Sequence, residues 1–295
     1  MFLFGQGKKI VNGFLQLSIA IVLLSVFASD HAIAQENQTS ANPILNGIKF
    51  DSTQIDEHTI SFAYAGDDTK PGVLFLHGTP GGWNAFDLYL SNPQLQNDFF
   101  MISMDRLGWG RSPLPAKMIN GDFTLQARSV TAVMNLYPNK NWTIVGHSLG
   151  ASMAPKIAIM SPKNTHSLLL LAGSLDPKLG KPRWYNSAAS TWLVSRLIGK
   201  TMRYSNREIM GLKKQLEQMN LELKDQTLNS KLVVMQGQKD RLVSPKNPTF
   251  VEQEWQQNFA SVEIIRLPVE GHFLPWRQTR LVIDTIYALR GLAPQ

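Results

Sequence analysis

The chain has 295 residues, of which 43% are hydrophobic and 17% are charged, and its formal net charge is +7 at pH 7. This is the composition of a globular protein, and the length suits one large domain with an insertion. Because the chain contains no Cys, disulfide bonds, cysteine nucleophiles, thiolate metal sites and a lipid anchor on an N-terminal cysteine are excluded.

Residues 1–34 have the layout of a cleavable secretory signal. Two lysines at positions 8 and 9 precede an apolar stretch over Phe14–Ala28, and Ala32-Ile33-Ala34 forms a small-x-small site before Gln35. The pattern predicts an exported protein, periplasmic or secreted. The alternative is an uncleaved segment that tethers the protein to the inner membrane, but the stretch is shorter than the ~20 residues of a typical span. We expect membrane contact only in that alternative.

Strand and helix patterns alternate along most of the remaining chain. Predicted strands lie at Ile48–Ile55, Thr59–Tyr64, Val73–Leu76, Phe99–Met104, Trp142–Val145, Ser167–Ala172, Leu232–Met235 and Val262–Leu267. Predicted helices lie at Thr124–Tyr137, Ala151–Met160, Phe250–Phe259 and Leu281–Arg290. Short, wholly apolar strands between helices predict an α/β fold with a mainly parallel central sheet and helices on both faces.

The alternation stops once, over residues 175–230, where the patterns are helical and no strand is indicated. We interpret this segment as a helical cap, inserted between a first core part at 35–174 and a second at 231–295. Residues 175–229 hold ten Lys/Arg and five Asp/Glu. A solvated helical face is the favoured explanation of this surplus, and attraction of an anionic substrate or surface is the alternative. No nucleic-acid-binding motif is present, so the predicted partner is a small-molecule substrate, with anionic ones among the candidates.

The pentapeptide Gly146-His-Ser-Leu-Gly150 follows a predicted strand and precedes a predicted helix. A G-x-S-x-G in this context is typical of a nucleophile elbow, a strained turn that presents a serine and leaves no room for bulky neighbours. Ser148 is therefore the candidate nucleophile. A serine of this kind needs a base, a group that orients the base, and an oxyanion hole.

The candidate base is His272, which lies outside the two glycine motifs that contain His77 and His147 and in a loop after a predicted strand, within Glu270-Gly-His-Phe273. Two acids follow strands at the same sheet edge, Asp240 and Asp176. We prefer Asp240, because the order Ser, Asp, His with the acid after the penultimate strand is the usual one. Asp176 remains the alternative.

The candidate oxyanion hole pairs the amide of Leu149, the residue after the serine, with an amide from an upstream loop. His77-Gly-Thr-Pro-Gly-Gly82 follows the strand Val73–Leu76 and supplies that loop. Glycines let backbone amides point inward without interference from a Cβ atom. We assign the second donor to the Thr79 amide.

Together these motifs resemble the α/β-hydrolase superfamily, in particular the branch with an H-G-x-P-G loop and an inserted cap. The segment Asp105-Arg-Leu-Gly-Trp-Gly-Arg-Ser112 is similar to the D-R-P-G-x-G-x-S segment of that branch, with Leu107 where proline is usual. The resemblance extends from about Ile48 to Leu289. Dehalogenases and epoxide hydrolases of this fold use an aspartate nucleophile, whereas this chain has Ser148. Proline iminopeptidases usually carry G-G-S-W-G at the elbow, from which this elbow departs.

The resemblance implies a serine hydrolase that cleaves a carboxylic ester of a small or medium substrate through an acyl-enzyme, without a metal or an organic cofactor. The same fold and triad support amide, lactone, thioester and carbon–carbon bond hydrolysis, so these stay open. A catalytically silent binding protein of the same fold is a further alternative. Such proteins usually lack a triad member, and all three candidates are present here.

Overall fold

A computed structural model describes residues 47–113 and 121–293, so the predicted signal at residues 1–34 lies outside the described residues. An eight-stranded sheet runs through the described part of the chain in the order β1-β2-β4-β3-β5-β6-β7-β8. Its strands are β1 Lys49–Ile55, β2 His58–Ala65, β3 Gly72–Leu76, β4 Phe100–Met104, β5 Trp142–His147, β6 Thr165–Leu171, β7 Leu228–Gly237 and β8 Phe259–Leu267. All eight predicted strands are therefore present.

The sheet is mainly parallel, as expected. β1 pairs antiparallel with β2, and β2 pairs antiparallel with β4. Every other neighbouring pair, from β4 through β3, β5, β6 and β7 to β8, is parallel. The carboxyl ends of six strands consequently meet at one edge of the sheet.

Helices connect the strands. They are α1 Asp87–Leu90, α2 Pro93–Asp98, α3 Phe123–Asn135, α4 Leu149–Met160, α5 Trp184–Ala189, α6 Trp192–Leu197, α7 Lys200–Lys224, α8 Asn247–Glu254, α9 Leu274–Arg277 and α10 Thr279–Arg290. The predicted helix at Phe250–Phe259 is misplaced, because α8 ends at Glu254 and β8 begins at Phe259. Trp255 and Phe259 fit a helical pattern in the sequence, but in the structure Trp255 follows the helix and Phe259 begins the strand.

Two apolar layers lie on opposite faces of the sheet. Successive residues of β3 alternate between them: Leu74 belongs to the layer that packs against α3 and α4, whereas Val73 and Phe75 belong to the layer that packs against α1 and α10. This alternation follows from the two-residue period of a strand. It explains why the central strands are apolar without interruption.

Between β6 and β7 the chain forms three helices, α5, α6 and α7, and no strand. α7 buries Leu212, Leu216, Met219 and Leu223 against the layer that contains α4. β7 starts at Leu228, two residues before the end of the predicted insertion at 230. None of the described helices has the length and apolar character needed to span a membrane.

Candidate active site

The predicted site residues all follow carboxyl ends of parallel strands. Strand register places Leu76 of β3 beside Gly146 of β5, and Gly237 of β7 beside Leu267 of β8. The loops that carry the candidate residues therefore leave the sheet at the same edge and in matched pairs. Ligand sites of parallel α/β sheets are found at this edge.

Ser148 lies in a strained turn between β5 and α4. Its φ is 53° and its ψ is −117°, a conformation that L residues rarely adopt and that is found at functional sites. Gly146 and Gly150 flank this turn, and other backbone atoms approach them too closely to leave room for a side chain. A Cβ atom at Gly150 would lie 2.2 Å from the carbonyl oxygen of Leu76, and one at Gly146 would lie 2.6 Å from the Cα of Ala151. The turn has the geometry expected of a nucleophile elbow.

Asp240 and His272 are in direct contact. The Nδ1 atom of His272 lies 2.8 Å from Oδ2 of Asp240, and both side chains are buried. Because a carboxylate only accepts, the imidazole donates this hydrogen bond and carries its proton on Nδ1. The rival acid Asp176 instead accepts a hydrogen bond from the amide of Lys178. Of the two candidate acids, the structure brings Asp240 to His272.

Asp240 is held as a carboxylate by four hydrogen bonds. Oδ2 also accepts from Nε2 of Gln236, and Oδ1 accepts from the amides of Leu242 and Val243. Burial raises the pKa of this carboxyl group, but the bonds from His272 and from the two amides outweigh it and leave the pKa below its ordinary value. The group beside His272 is therefore ionised at neutral pH.

The loop that carries His272 is fixed on two sides. Glu270 accepts hydrogen bonds from Arg277 and Gln278, each at 2.8 Å. On the other side, Nε2 of His147 lies 3.0 Å from the carbonyl oxygen of His272. Since His147 immediately precedes Ser148, this bond links the elbow to the loop of the candidate base.

The loop after β3 lies against Ser148. A Cβ atom at Gly78 would lie 2.9 Å from the Cβ of Ser148, so the backbone passes directly beside the elbow. Thr79 comes next, and its hydroxyl oxygen is buried without a hydrogen-bond partner among the described residues. Leu149, the other predicted donor, is the first residue of α4, where a helix leaves its amides unpaired. Leu149 thus directly follows the serine in sequence, and Thr79 directly follows Gly78, the residue whose backbone passes beside it.

The buried guanidinium of Arg106 binds the backbone of this loop. Arg106 donates from Nε to the carbonyl of His77 at 2.9 Å and from NH2 to the carbonyl of Gly78 at 2.8 Å. The same side chain forms an ion pair with Glu208 of α7 at 3.0 Å, and both side chains are fully buried. Nε1 of Trp109 donates a further hydrogen bond to Glu208. The Arg106–Glu208 pair therefore joins α7 to the loop beside Ser148.

His77 is neutral in this setting. Its Nδ1 donates to the carbonyl of Gly78 at 2.7 Å, and its Nε2 accepts from the amide of Arg106 at 3.1 Å. Burial lowers its pKa well below the ordinary value, and the charge of Arg106 lowers it further. A neutral imidazole with a fixed tautomer can accept at one nitrogen and donate at the other. His77 therefore bonds to backbone groups through both of its ring nitrogens.

Sequence reasoning did not find the roles of Arg106, Glu208, Gln236 and His147. Arg106 and His147 lie inside motifs that were recognised, but their partners are 102 and 125 residues away in sequence. Contacts between residues so far apart in sequence leave no recognisable pattern in the sequence around either residue. In the described part of the chain, no group of three or more His, Asp or Glu side chains is arranged to hold a metal ion.

Comparison with known proteins supports the fold that the sheet and the Ser148 turn indicate. The model of the α/β-hydrolase fold family matches residues 71–193. Among solved structures, Cfl2 from Burkholderia cenocepacia superimposes with a TM-score of 0.68 at 15% identity, over 84% of this chain and 97% of that one. The chain has the α/β-hydrolase fold.

Curated relatives match only part of the chain. A probable 1-acylglycerol-3-phosphate O-acyltransferase of Oryza sativa subsp. japonica is 24% identical over 182 residues, which are 58% of this chain and 42% of that protein. A 2-hydroxy-6-oxononadienedioate/2-hydroxy-6-oxononatrienedioate hydrolase of Pseudomonas putida is 30% identical over 105 residues, 34% of this chain and 36% of that one. The matched region thus spans less than half of each of these relatives.

Proposed function

We propose that the protein is a serine hydrolase that cleaves a carboxylic ester of a small or medium substrate through an acyl-enzyme. The observation that carries the proposal is the strained turn of Ser148, which His147 links to the loop of His272, together with the buried Asp240–His272 pair. A backbone conformation of this kind persists only where the surrounding structure enforces it. An ionised carboxylate bonded to Nδ1 leaves Nε2 of the imidazole as the basic nitrogen.

In the proposed mechanism, Nε2 of His272 takes the proton of the Ser148 hydroxyl as its oxygen attacks the substrate carbonyl. Asp240 keeps the imidazole in the correct tautomer and stabilises the imidazolium that forms. His272 then gives the proton to the leaving alcohol. A water molecule, deprotonated by the same imidazole, attacks the acyl-enzyme and releases the acid and the free Ser148.

The developing oxyanion is bound by the amides of Thr79 and Leu149. Removal of one such donor typically costs ~10²–10³ in turnover, because the donors are oriented before the reaction begins. The Leu149 amide also lies at the positive end of the α4 dipole. Arg106 supports the other donor indirectly, since it fixes the carbonyls of the two residues that precede Thr79.

Helices α5, α6 and α7 would form the cap that shapes the substrate pocket, with the protein exported to the periplasm or secreted. Amide, lactone, thioester and carbon–carbon bond hydrolysis use the same residues and are alternatives of bond type. The rice relative is named as an acyltransferase and the P. putida relative as a hydrolase, so relatives themselves differ in reaction.

The test is intact-mass measurement of the purified protein after treatment with a fluorophosphonate. We expect one adduct on the wild type and none on Ser148→Ala. Ser129→Ala is a matched control that must retain the adduct, because Ser129 is a buried serine of α3 whose hydroxyl bonds to the carbonyl of Leu125. No adduct on the folded wild type would favour the silent binding protein over the enzyme. Once an adduct is found, rates with matched ester, amide, thioester and lactone substrates separate the bond types.

A further inference from the structure

Helix α6 turns large apolar side chains towards solvent. Trp192, Leu193 and Leu197 are 67%, 62% and 78% exposed, and the helix buries none of its residues. Positions four apart lie on one helix face, so Leu193 and Leu197 are neighbours. On the preceding helix α5, Trp184 is 56% exposed. Several large, exposed apolar side chains on two successive short helices are typical of an interaction site.

The segment that contains these two helices is strongly basic. Residues 177–207 contain seven Lys or Arg and no Asp or Glu: Lys178, Lys181, Arg183, Arg196, Lys200, Arg203 and Arg207. The guanidinium of Arg196 lies 4.2 Å from the ring centroid of Trp192, so charge and apolar surface are interleaved. The next acidic residue, Glu208, is buried in its ion pair with Arg106. It therefore does not offset the positive charge at the surface.

We propose that helices α5 and α6 form a docking surface for an anionic phospholipid bilayer. Trp184, Trp192, Leu193 and Leu197 would enter the boundary between headgroups and acyl chains, and the surrounding Lys and Arg would bind lipid phosphates. Tryptophan and leucine beside Lys and Arg are typical of helices that lie in the plane of a membrane interface. Acidic lipids supply the negative charge that this segment lacks.

The chemistry of the surface distinguishes this partner from others. A single-stranded nucleic acid would stack on the tryptophans but would leave the exposed leucines without a role. A second copy of the chain would place seven cations against seven cations. The residues of this surface are not those of the predicted N-terminal signal, and docking through them does not depend on the reaction at Ser148.

The test is quenching of tryptophan fluorescence by vesicles of brominated phosphatidylcholine, with and without 30% phosphatidylglycerol. The full chain can be used, because its first 46 residues contain no Trp and insertion of that segment gives no signal. We expect quenching that requires phosphatidylglycerol and weakens with added salt. The double variant Trp184→Phe/Trp192→Phe should lose the quenching while it still sediments with the vesicles.

Two further variants separate the apolar and the charged contributions. Leu193→Ser/Leu197→Ser and Arg196→Glu/Lys200→Glu should each lower the vesicle partition coefficient about tenfold or more. Matched controls are Leu221→Ser, at a similarly exposed leucine of α7, and Lys163→Glu, at an exposed lysine before β6. Both should bind like the wild type.

The proposal is overturned if the wild type shows no quenching, or if quenching is the same in uncharged vesicles. It is also overturned if the controls and the surface variants lose binding equally. Finally, if the leucine variant changes the oligomeric state in sedimentation equilibrium but not the quenching, the surface is an interface between copies of the chain.

Discussion

Nε2 of His147 donates a hydrogen bond to the backbone carbonyl of His272 over 3.0 Å, and the two imidazole rings lie 4.9 Å apart. His147 is thus more than a spacer in the G-x-S-x-G sequence. It ties the turn of Ser148 to the loop that places the candidate base. Because the contact is to the backbone carbonyl, His147 occupies neither ring nitrogen of His272, and Nδ1 bonds to Asp240.

Replacement of His147 by Phe should lower kcat for ester hydrolysis more than it changes KM. The ring remains but the donor is lost, and a net hydrogen bond of ~0.5–1.5 kcal/mol corresponds to about a 2- to 12-fold effect. His166→Phe is a matched control, since Nε2 of His166 bonds to the carbonyl of Leu289 at the same distance of 3.0 Å, away from the site. An equal fall in kcat for both variants would show that His147 acts only through general stability.

Asp240→Asn should reduce turnover by roughly 10⁴-fold, because the amide cannot hold His272 in the required tautomer. Asp176→Asn should leave turnover within a few fold of the wild type, since its carboxylate bonds to its own loop. Steady-state kinetics on one ester substrate compare the two variants directly. A large loss in Asp176→Asn together with a small one in Asp240→Asn would reverse the assignment of the acid.

Glu208→Ala should destabilise the protein by about 3–5 kcal/mol, because it leaves the Arg106 guanidinium buried without its carboxylate. The double variant Arg106→Met/Glu208→Leu should recover much of this stability but not the rate of fluorophosphonate labelling, since the carbonyls of His77 and Gly78 lose their donor. Urea unfolding measures the first effect. Breaking the exposed Lys213–Glu217 pair with Glu217→Gln should cost no more than ~0.5 kcal/mol.

The ionisation of Asp240 should make stability depend on acid pH. Its pKa in the folded protein is lower than in the unfolded chain, so its contribution is present above about pH 4 and is lost as the pH falls through the folded value. The difference in free energy of unfolding between the wild type and Asp240→Asn should therefore shrink from pH 6 to pH 3. Urea titrations across this range test it, and a constant difference would contradict it.

Ser148→Gly should be more stable than Ser148→Ala by about 1 kcal/mol. Both lack the hydroxyl, but only glycine adopts a φ of 53° and a ψ of −117° without steric strain. The expected gain is the relief of ~1–3 kcal/mol of strain, reduced by the greater freedom of glycine in the unfolded chain. Thermal unfolding of the two inactive variants compares them, and a less stable glycine variant would show that the turn carries no strain.

The sheet and the Asp240–His272 contact could be predicted from sequence because their signals are local. Each parallel strand is a short apolar run buried on both faces, and the candidate residues follow those runs directly. The rule that parallel strands share a carboxyl edge then brings distant loops together. The preference for Asp240 over Asp176 agrees with the contact that the structure shows.

Other features could not be predicted because they depend on packing between distant segments. The Arg106–Glu208 pair joins a loop after β4 to the middle of α7, and either residue alone has the appearance of an ordinary surface charge. The exposure of side chains could not be predicted either: Leu193 and Leu197 have the spacing of packed helical residues, yet both are exposed in the structure. The pattern gives the wrong end for α8 because Trp255 and Phe259 are four residues apart, as on one helix face, whereas Phe259 is the first residue of β8.

The Arg106–Glu208 pair sets an order on folding. Until α7 packs into place, the guanidinium that binds the carbonyls of His77 and Gly78 has no carboxylate partner, and burying it alone is strongly unfavourable. A partly folded chain that already has β3, β4, β5 and the Ser148 turn must therefore keep this corner open to water. The packing of α7 closes it, so the loop beside the Ser148 turn is not fixed before this helix has formed.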